Sequence, residues 1–150
     1  MKSHSKDLRK GRYSKAGYIY LVTVVTKKRV PVFINFVKAR ILINCLREAH
    51  ANGYVYSLGF VIMPEHLHWV FELKEIKSLS ETVGYIKGLS TYRINKNSLT
   101  GFSWQDGFHD HALRRSEDLK SVIRYVIGNP LRAGLVENIG DYPHWDCIYL

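Results

Sequence analysis

The chain has 150 residues, 46% of them hydrophobic and 23% charged, with a formal net charge of +9, which favours one folded domain and excludes a disordered chain. Its longest apolar stretch, Tyr18 to Val25, is far shorter than the ~18 residues of a membrane-spanning helix, and no apolar run follows the basic amino terminus as in a secretory signal. Cys45 and Cys147 lack metal-ligand spacing and are expected to be reduced thiols of a cytoplasmic protein, although the sequence alone does not exclude a bridge.

The positive charge is concentrated at the amino-terminal end of the chain. Residues 1–29 hold nine basic side chains and one acid, Asp7, whereas residues 30–150 are almost balanced. A phosphate backbone attracts such a local excess, because each phosphate that is neutralised releases a counterion; the alternative is a solvated tail that only aids solubility. We therefore predict a basic arm over residues 1–16, a single domain over residues 17–150 and a nucleic acid partner.

The first half of the predicted domain alternates strands with one helix. Gly17 to Thr26 is rich in β-branched and aromatic residues and is predicted to form a strand. Phe36 to Asn52 repeats apolar residues at a four-residue spacing, which predicts a helix. Tyr54 to Met63 and His66 to Leu73 are predicted to form two strands separated by a short break.

The second half of the domain begins with a helix that Ser80 is predicted to cap and that extends to about Asn97. Phe108 to Leu113 is predicted to form a strand, and Ser116 opens a last helix that Pro130 should end or kink. This order of elements predicts an α+β fold of the ferredoxin-like (RRM-like) class. In that fold an antiparallel sheet carries helices on one face, and here a further C-terminal helix is added.

The strongest chemical signal is the sequence MPEHLH at Met63 to His68. Residues two apart on a strand point to the same face, so His66 and His68 would present two imidazoles side by side while Leu67 and Trp69 face the core. Two imidazoles from one strand form half of a metal site whose other ligands come from elsewhere in the fold. The alternative is a chance pair of surface histidines.

A strand that ends in Met-Pro and is followed by a polar residue, His-x-His and an apolar run resembles the HUH motif of the single-tyrosine transposases, which process single-stranded DNA. Two more segments resemble the REP-associated branch of that family. They are Trp104 to Arg114 (WQDGFHDHALR) and Tyr125 to Val136 (YVIGNPLRAGLV). The resemblance extends over about residues 17 to 145 and so includes most of the predicted domain.

The resemblance implies that Tyr125, on the last helix, attacks a DNA phosphate and leaves a 5′-phosphotyrosine link and a free 3′-hydroxyl. It also implies that Asn129 is the third ligand, beside His66 and His68, of a divalent metal, Mg²⁺ or Mn²⁺. Independently of the family, positions i and i+4 lie on one helix face, so the side chains of Tyr125 and Asn129 can reach one ion. The alternative is that Tyr125 packs and Asn129 caps the helix end.

Two tyrosines on the second helix, Tyr85 and Tyr92, are rival nucleophiles. Neither is followed by a carboxamide four residues later, which favours Tyr125. A polar cluster at His109, Asp110 and His111 would place both histidines on one face of a strand. Whether this cluster contacts the site or the DNA, or is only structural, is left open by the sequence.

The predicted function is that of an enzyme: a metal-dependent single-stranded DNA endonuclease and strand transferase acting on hairpin-forming DNA, as a monomer or a homodimer. Two alternatives stay open, a DNA-binding protein that does not cleave and a small metal-dependent phosphoesterase that uses water. The side chains expected to contact DNA are basic: Lys10, Arg12, Lys15, Lys27, Lys28, Arg29, Arg114 and Arg115.

Overall fold

The computed structural model describes residues 14–96, 98, 101–114 and 118–148. Within them, one antiparallel sheet is formed by β1 (Ile19–Val25), β2 (Val55–Met63), β3 (His66–Leu73), β4 (His109–Ala112) and β5 (Trp145–Cys147). The helices are α1 (Phe36–Ala51), α2 (Leu79–Asn95), α3 (Leu119–Ile127) and the single turn α4 (Asn129–Arg132). Short 3₁₀ turns occupy Lys27–Arg29, Val32–Ile34 and Ile139–Asp141.

The strand order is β4-β1-β3-β2-β5, and all neighbouring pairs are antiparallel. Its first four strands have the ferredoxin-like order, so the predicted fold class is confirmed. The bounds of β3 agree with the sequence prediction. The strands β1 and β4 are shorter than predicted by one or two residues at each end, and β2 is shorter by one residue at its start. The edge strand β5, which pairs only with Gly59, Phe60 and Val61 of β2, was not predicted.

Local side-chain contacts explain where the helices begin, and they correct two predicted caps. Ser78, not Ser80, is the N-cap of α2, since its hydroxyl accepts from the Glu81 backbone N–H and the Glu81 carboxylate accepts from the Ser78 N–H. This reciprocal pair is a capping box. Asp118 caps α3 by accepting from the Lys120 N–H; Ser116, which was predicted to open this helix, lies outside the described residues.

The sheet is buried on two faces by two separate clusters of apolar side chains. The helices α1 and α2 cover the first face, and α3 covers part of the second. In the second cluster, Ile123 and Val126 of α3 pack against Val61, Met63 and Val70 of the sheet. The predicted arrangement, with two helices on one face and an added helix, is therefore confirmed, and α3 lies on the opposite face from the other two.

The described helices include none that is long and apolar enough to cross a membrane. Cys45 and Cys147 are both free thiols, as the sequence suggested, and no bridge joins them. Most of the predicted basic arm lies outside the described residues, so the division at residue 16 stays a prediction.

Candidate active site

The side chains of His66 and His68 lie on the sheet face that α3 covers. Alternation along β3 places them with Val70, which packs under α3, and places Leu67 and Trp69 in the core under α1 and α2. The predicted orientation of the His-x-His pair is therefore confirmed. The reason is the two-residue period of a strand, which gives alternate side chains to opposite faces.

The two imidazoles converge on each other through their Nε2 atoms, which are 3.0 Å apart. Each ring is held from the other side through Nδ1. His66 Nδ1 lies 3.0 Å from Glu65 Oε1, and His68 Nδ1 lies 2.8 Å from the hydroxyl of Thr23 on β1. Metal-binding histidines are held by outer partners in this manner. Two ligand atoms ~2.1 Å from an octahedral cation and at right angles are ~3.0 Å apart, so the pair fits such an ion.

The hydrogen bonds determine a consistent arrangement of protons without a metal. The carboxylate of Glu65 only accepts, so His66 donates from Nδ1 and its Nε2 accepts. His68 must then donate from Nε2 to His66, and its Nδ1 accepts from the Thr23 hydroxyl. A hydroxyl can also accept, so Thr23 is able to serve either tautomer of His68, including the one whose Nε2 is free for a ligand.

Burial keeps both imidazoles in the neutral form that a metal requires. The pKa of His68 is lowered to about 4, first by burial and then by the charges of His66 and Arg132. The pKa of His66 is also lowered by burial, although Glu65 opposes this shift. A neutral imidazole presents a lone pair at neutral pH, so neither histidine starts from the cationic form that would have to release a proton before it binds an ion.

Among the residues that the structure describes, a third ligand for such an ion would have to be of another residue type. No group of three or more His, Cys, Asp and Glu side chains within the described residues is arranged to hold a metal. Asn129 begins α4, is half-buried, and its Nδ2 donates to the Val126 carbonyl at 2.8 Å. Through this contact Asn129 caps the C-terminal end of α3, which is the alternative role that the sequence left open. The contact engages the amide nitrogen and leaves the ligand role of the amide oxygen a prediction.

Tyr125 lies on the outer side of α3, where its side chain is 64% exposed while Ile123 and Val126 are buried. Its ring is covered by a single charged group, the guanidinium of Arg132, whose central carbon is 3.8 Å from the ring centroid. Arg132 Nη2 also donates to the Tyr125 carbonyl at 2.5 Å. Because the charge of Arg132 reaches His68, the tyrosine and the histidine pair flank the same cation.

The rival tyrosines lie on the wrong side of the sheet. Tyr85 and Tyr92 belong to α2, which packs on the face opposite the histidines. Tyr85 is half-buried against Tyr54, with ring centroids 5.1 Å apart. The sheet therefore separates both tyrosines from His66 and His68, which favours Tyr125 as the nucleophile.

Of the predicted DNA contacts that the structure describes, Arg29 lies within electrostatic reach of His66. Its charge lowers the pKa of His66, and its turn is tied to the site because the Thr26 hydroxyl donates to the carbonyls of Val30 and Glu65. Lys28 and Arg29 have φ values of 57° and 55°, which is a strained conformation for residues with a side chain. The other described members of the set are exposed: Lys15, Lys27, Lys28 and Arg114. The remaining three lie outside the described residues: Lys10, Arg12 and Arg115.

The second polar cluster lies on the uncovered part of the same sheet face as the histidine pair. His109 and His111 of β4 are paired with Thr23 and Leu21 of β1 and are exposed. Asp110 points to the other face, where its charge raises the pKa of Tyr20. The predicted alternation is confirmed, and the two β4 histidines extend the polar surface away from α3.

Sequence reasoning missed two of the residues that shape this site. Thr23 could have been found from strand pairing, since its Cα is opposite that of His68. Arg132 is seven residues after Tyr125, which corresponds to about two turns of a helix. The expected interruption at Pro130 concealed this relation.

Comparisons with known proteins identify the family of the chain and relatives of its fold. A family model described as "Transposase IS200 like" matches residues 14–129. The chain is 29% identical over 86 residues to the REP-associated tyrosine transposase of Escherichia coli (strain K12), a match that covers 57% of this chain and spans half the length of that relative. It is 26% identical over 160 residues to a Haemophilus influenzae protein provisionally named a REP-associated tyrosine transposase, covering 96% of this chain and 84% of that one.

Among solved structures, the fold is similar to that of a REP-associated tyrosine transposase bound to a REP hairpin. The TM-score is 0.74 at 24% identity, and the match covers 89% of this chain and 79% of that one. The predicted resemblance is thus confirmed, and the family match includes the histidine pair, Tyr125 and Asn129. The chain belongs to the IS200-like transposase family, whose members are enzymes that act on DNA.

Proposed function

We propose that this protein is a metal-dependent transferase that cleaves and rejoins single-stranded DNA beside a hairpin, with Tyr125 as its nucleophile. The observation that carries the proposal is the convergence of the His66 and His68 Nε2 atoms, 3.0 Å apart, on the sheet face that α3 covers. The hairpin in the solved structure of a similar fold supports hairpin-forming DNA as the substrate.

His66, His68 and the amide oxygen of Asn129 would hold the ion, which we propose to be Mg²⁺ or Mn²⁺. When bound, a divalent ion withdraws charge from a phosphate oxygen and stabilises the charge that develops during phosphoryl transfer. Three neutral ligands leave further positions for phosphate oxygens and water.

Tyr125 carries out the proposed chemical step. In the proposed step, a bond forms between Tyr125 Oη and the phosphorus, and the bond from phosphorus to the 3′ oxygen breaks. The tyrosine gives up its proton and the 3′ oxygen gains one, which leaves a 5′-phosphotyrosine and a free 3′-hydroxyl. The reverse reaction with another 3′-hydroxyl rejoins the strand.

The exposed basic side chains support DNA as the partner. The charge of Arg29 reaches His66, and Thr26, which precedes its turn, is bonded to the Glu65 carbonyl, so a strand whose phosphate lies at the histidines would also meet the Lys27–Arg29 turn. The two free cysteines support a cytoplasmic location, where thiols stay reduced.

The test is to incubate labelled single-stranded hairpin DNA with the protein and Mg²⁺ or Mn²⁺, and to search a denaturing gel for a covalent adduct. Tyr125→Phe should abolish the adduct and leave DNA binding intact. Tyr92→Phe is the matched control, since this tyrosine is equally exposed but lies on α2. Cleavage that persists in Tyr125→Phe would favour a phosphoesterase that uses water, and an absence of cleavage with any metal would favour a DNA-binding protein that does not cleave.

A further inference from the structure

The side chain of Arg132 folds back onto the tyrosine helix, and its charge acts on His68. Its guanidinium lies over the Tyr125 ring at 3.8 Å and donates to the Tyr125 carbonyl at 2.5 Å. Gly128 makes room for it, because a β-carbon at that position would be 2.9 Å from Arg132 Nη1. The break between α3 and α4 therefore turns this arginine back towards the tyrosine.

The charge of Arg132 is not neutralised by a carboxylate among the described residues, whose ion pairs join Glu65, Glu72 and Glu48 to other partners. A second cation, Arg29, acts on His66 through its charge as Arg132 acts on His68. The two imidazoles are neutral. Glu65, which accepts from His66, opposes the two arginines with one negative charge, so they leave an excess of positive charge that would attract an anion such as a phosphate.

We propose that Arg132 is a catalytic residue that binds a non-bridging oxygen of the scissile phosphate while Tyr125 attacks the phosphorus. The inference rests on the strand-transfer function proposed above. Reacting atoms in a productive complex are ~3–3.5 Å apart, so a phosphate that meets the Tyr125 hydroxyl also comes within reach of a guanidinium that lies on the same ring. The planar guanidinium can donate two parallel hydrogen bonds to a phosphate.

Arg132 neither gains nor loses a proton in this step, because a guanidinium stays charged at all relevant pH values. The bond from Tyr125 Oη to phosphorus forms and the bond to the 3′ oxygen breaks, as above. During the step, negative charge on the phosphoryl oxygens is stabilised by a donor that is already in place, which is the kind of contribution that accelerates the reaction rather than only strengthening binding. Before DNA binds, the ring of Tyr125 holds the guanidinium in position.

A purely structural role is the competing explanation, since Arg132 also bonds to the Tyr125 carbonyl. The first experiment measures the single-turnover rate of adduct formation with a hairpin oligonucleotide whose cleavage position has been mapped with the wild-type protein. Arg132→Gln should slow the adduct by roughly 10²-fold, Arg132→Lys should recover part of the rate, and thermal unfolding should be unchanged. Arg124→Gln, beside Tyr125 on α3, is the control and should react at the wild-type rate.

The second experiment replaces the scissile phosphate by a methylphosphonate, in each separated stereoisomer, which removes one charged oxygen. If Arg132 binds that oxygen, Arg132→Gln will lose far less rate on one stereoisomer than it loses on the natural phosphate. If Arg132→Gln loses as much rate on each stereoisomer as on the natural phosphate, the inference is overturned and the proposed function still stands. The same holds if Arg132→Gln reacts with the natural phosphate at the wild-type rate. If the wild-type protein forms no adduct at all, the proposed function fails and the inference fails with it.

Discussion

The guanidinium of Arg132 stacks on the ring of Tyr125. Tyr125 lies in the last turn of α3, and Arg132 is the last residue of α4, so the contact spans the break between the two helices. The contact gives the exposed tyrosine a defined neighbour, which a surface residue of this type would otherwise lack. It also places a permanent charge within electrostatic reach of His68. The candidate nucleophile and the candidate metal ligands are therefore parts of one charged site, although they belong to different layers of the fold.

Removal of the Thr23 hydroxyl should weaken metal binding. Thr23→Val keeps the shape of the side chain but leaves His68 Nδ1 without the partner that lies 2.8 Å away. Loss of such an outer hydrogen bond lowers metal affinity ~10–100-fold. Titration of Mn²⁺ by isothermal calorimetry would measure the change, and Thr23→Ser, which restores the hydroxyl, should recover most of it. Equal affinity of the valine variant would show that the hydroxyl does not orient this ring.

Loss of either histidine of the pair should abolish metal binding and adduct formation. The imidazoles of His66 and His68 converge through Nε2, so His66→Ala or His68→Ala leaves a single nitrogen for the ion. DNA affinity should change little if the basic side chains dominate binding. His50→Gln is the control. This histidine lies on α1, which covers the opposite face of the sheet, and its Nδ1 accepts from the Ser57 N–H. Full activity of either alanine variant in the presence of a chelator would refute the metal site.

Arg29 should contribute to the salt dependence of DNA binding. It stands beside His66 in a strained turn, and each phosphate contact on a single strand contributes ~0.7 to the slope of log K against log salt. Arg29→Gln should reduce the slope by about that amount in filter-binding or anisotropy measurements. Lys96→Gln, at the end of α2 on the other face, should leave it unchanged. An unaltered slope in Arg29→Gln would mean that the turn does not meet the backbone of the DNA.

Deletion of residues 1–13 should weaken DNA binding and flatten its salt dependence without unfolding the domain. The deletion removes five basic side chains but keeps Ser14, whose hydroxyl accepts from the Leu79 N–H at the start of α2. Circular dichroism would confirm that the fold is retained. If the slope of log K against log salt is the same with and without these residues, the arm is not a DNA contact.

Two glycine substitutions should have opposite effects on stability. A β-carbon on Gly59 of β2 would lie 3.3 Å from the Ile123 side chain and 3.2 Å from that of Cys147, so Gly59→Ala should overpack the contact with α3 and cost ~1–3 kcal/mol. A β-carbon on Gly84 of α2 meets nothing within 4 Å, so Gly84→Ala should stabilise the helix by ~1 kcal/mol.

Urea unfolding would measure both free energies of unfolding. Gly59→Ala should also slow adduct formation, because the displaced helix carries Tyr125. Gly84→Ala should not, since α2 lies on the opposite face. A neutral or stabilising Gly59→Ala would mean that α3 adjusts to the extra carbon without strain.

Sequence patterns predicted the fold well where side chains alternate or repeat over several residues. β3 was bounded correctly and the direction of its two histidines followed, because a period of two leaves no other choice once Leu67 and Trp69 are buried. The strand β5 was missed because three residues carry too little pattern. The cap of α2 was misplaced at Ser80, although Ser78 and Glu81 have the spacing of a capping box.

The parts of the site that could not be predicted depend on distant contacts. No local pattern says which face of the sheet an added helix will cover, yet this choice puts the helix of Tyr125 on the face that carries the histidines and leaves Tyr85 and Tyr92 on the other face. Arg132 was missed because a helix break lies between it and Tyr125, and helical spacing cannot be extended across such a break.

The division of the interior into two cores has a consequence for local opening. The histidine strand is anchored mainly by the larger core under α1 and α2, whereas α3 is attached through the smaller cluster around Ile123 and Val126. Release of α3 would expose only that smaller cluster, so its free energy of opening is lower than that of global unfolding. We therefore expect Tyr125 to move with α3 while both imidazoles keep their places, and amide exchange in α3 should be faster than in β3.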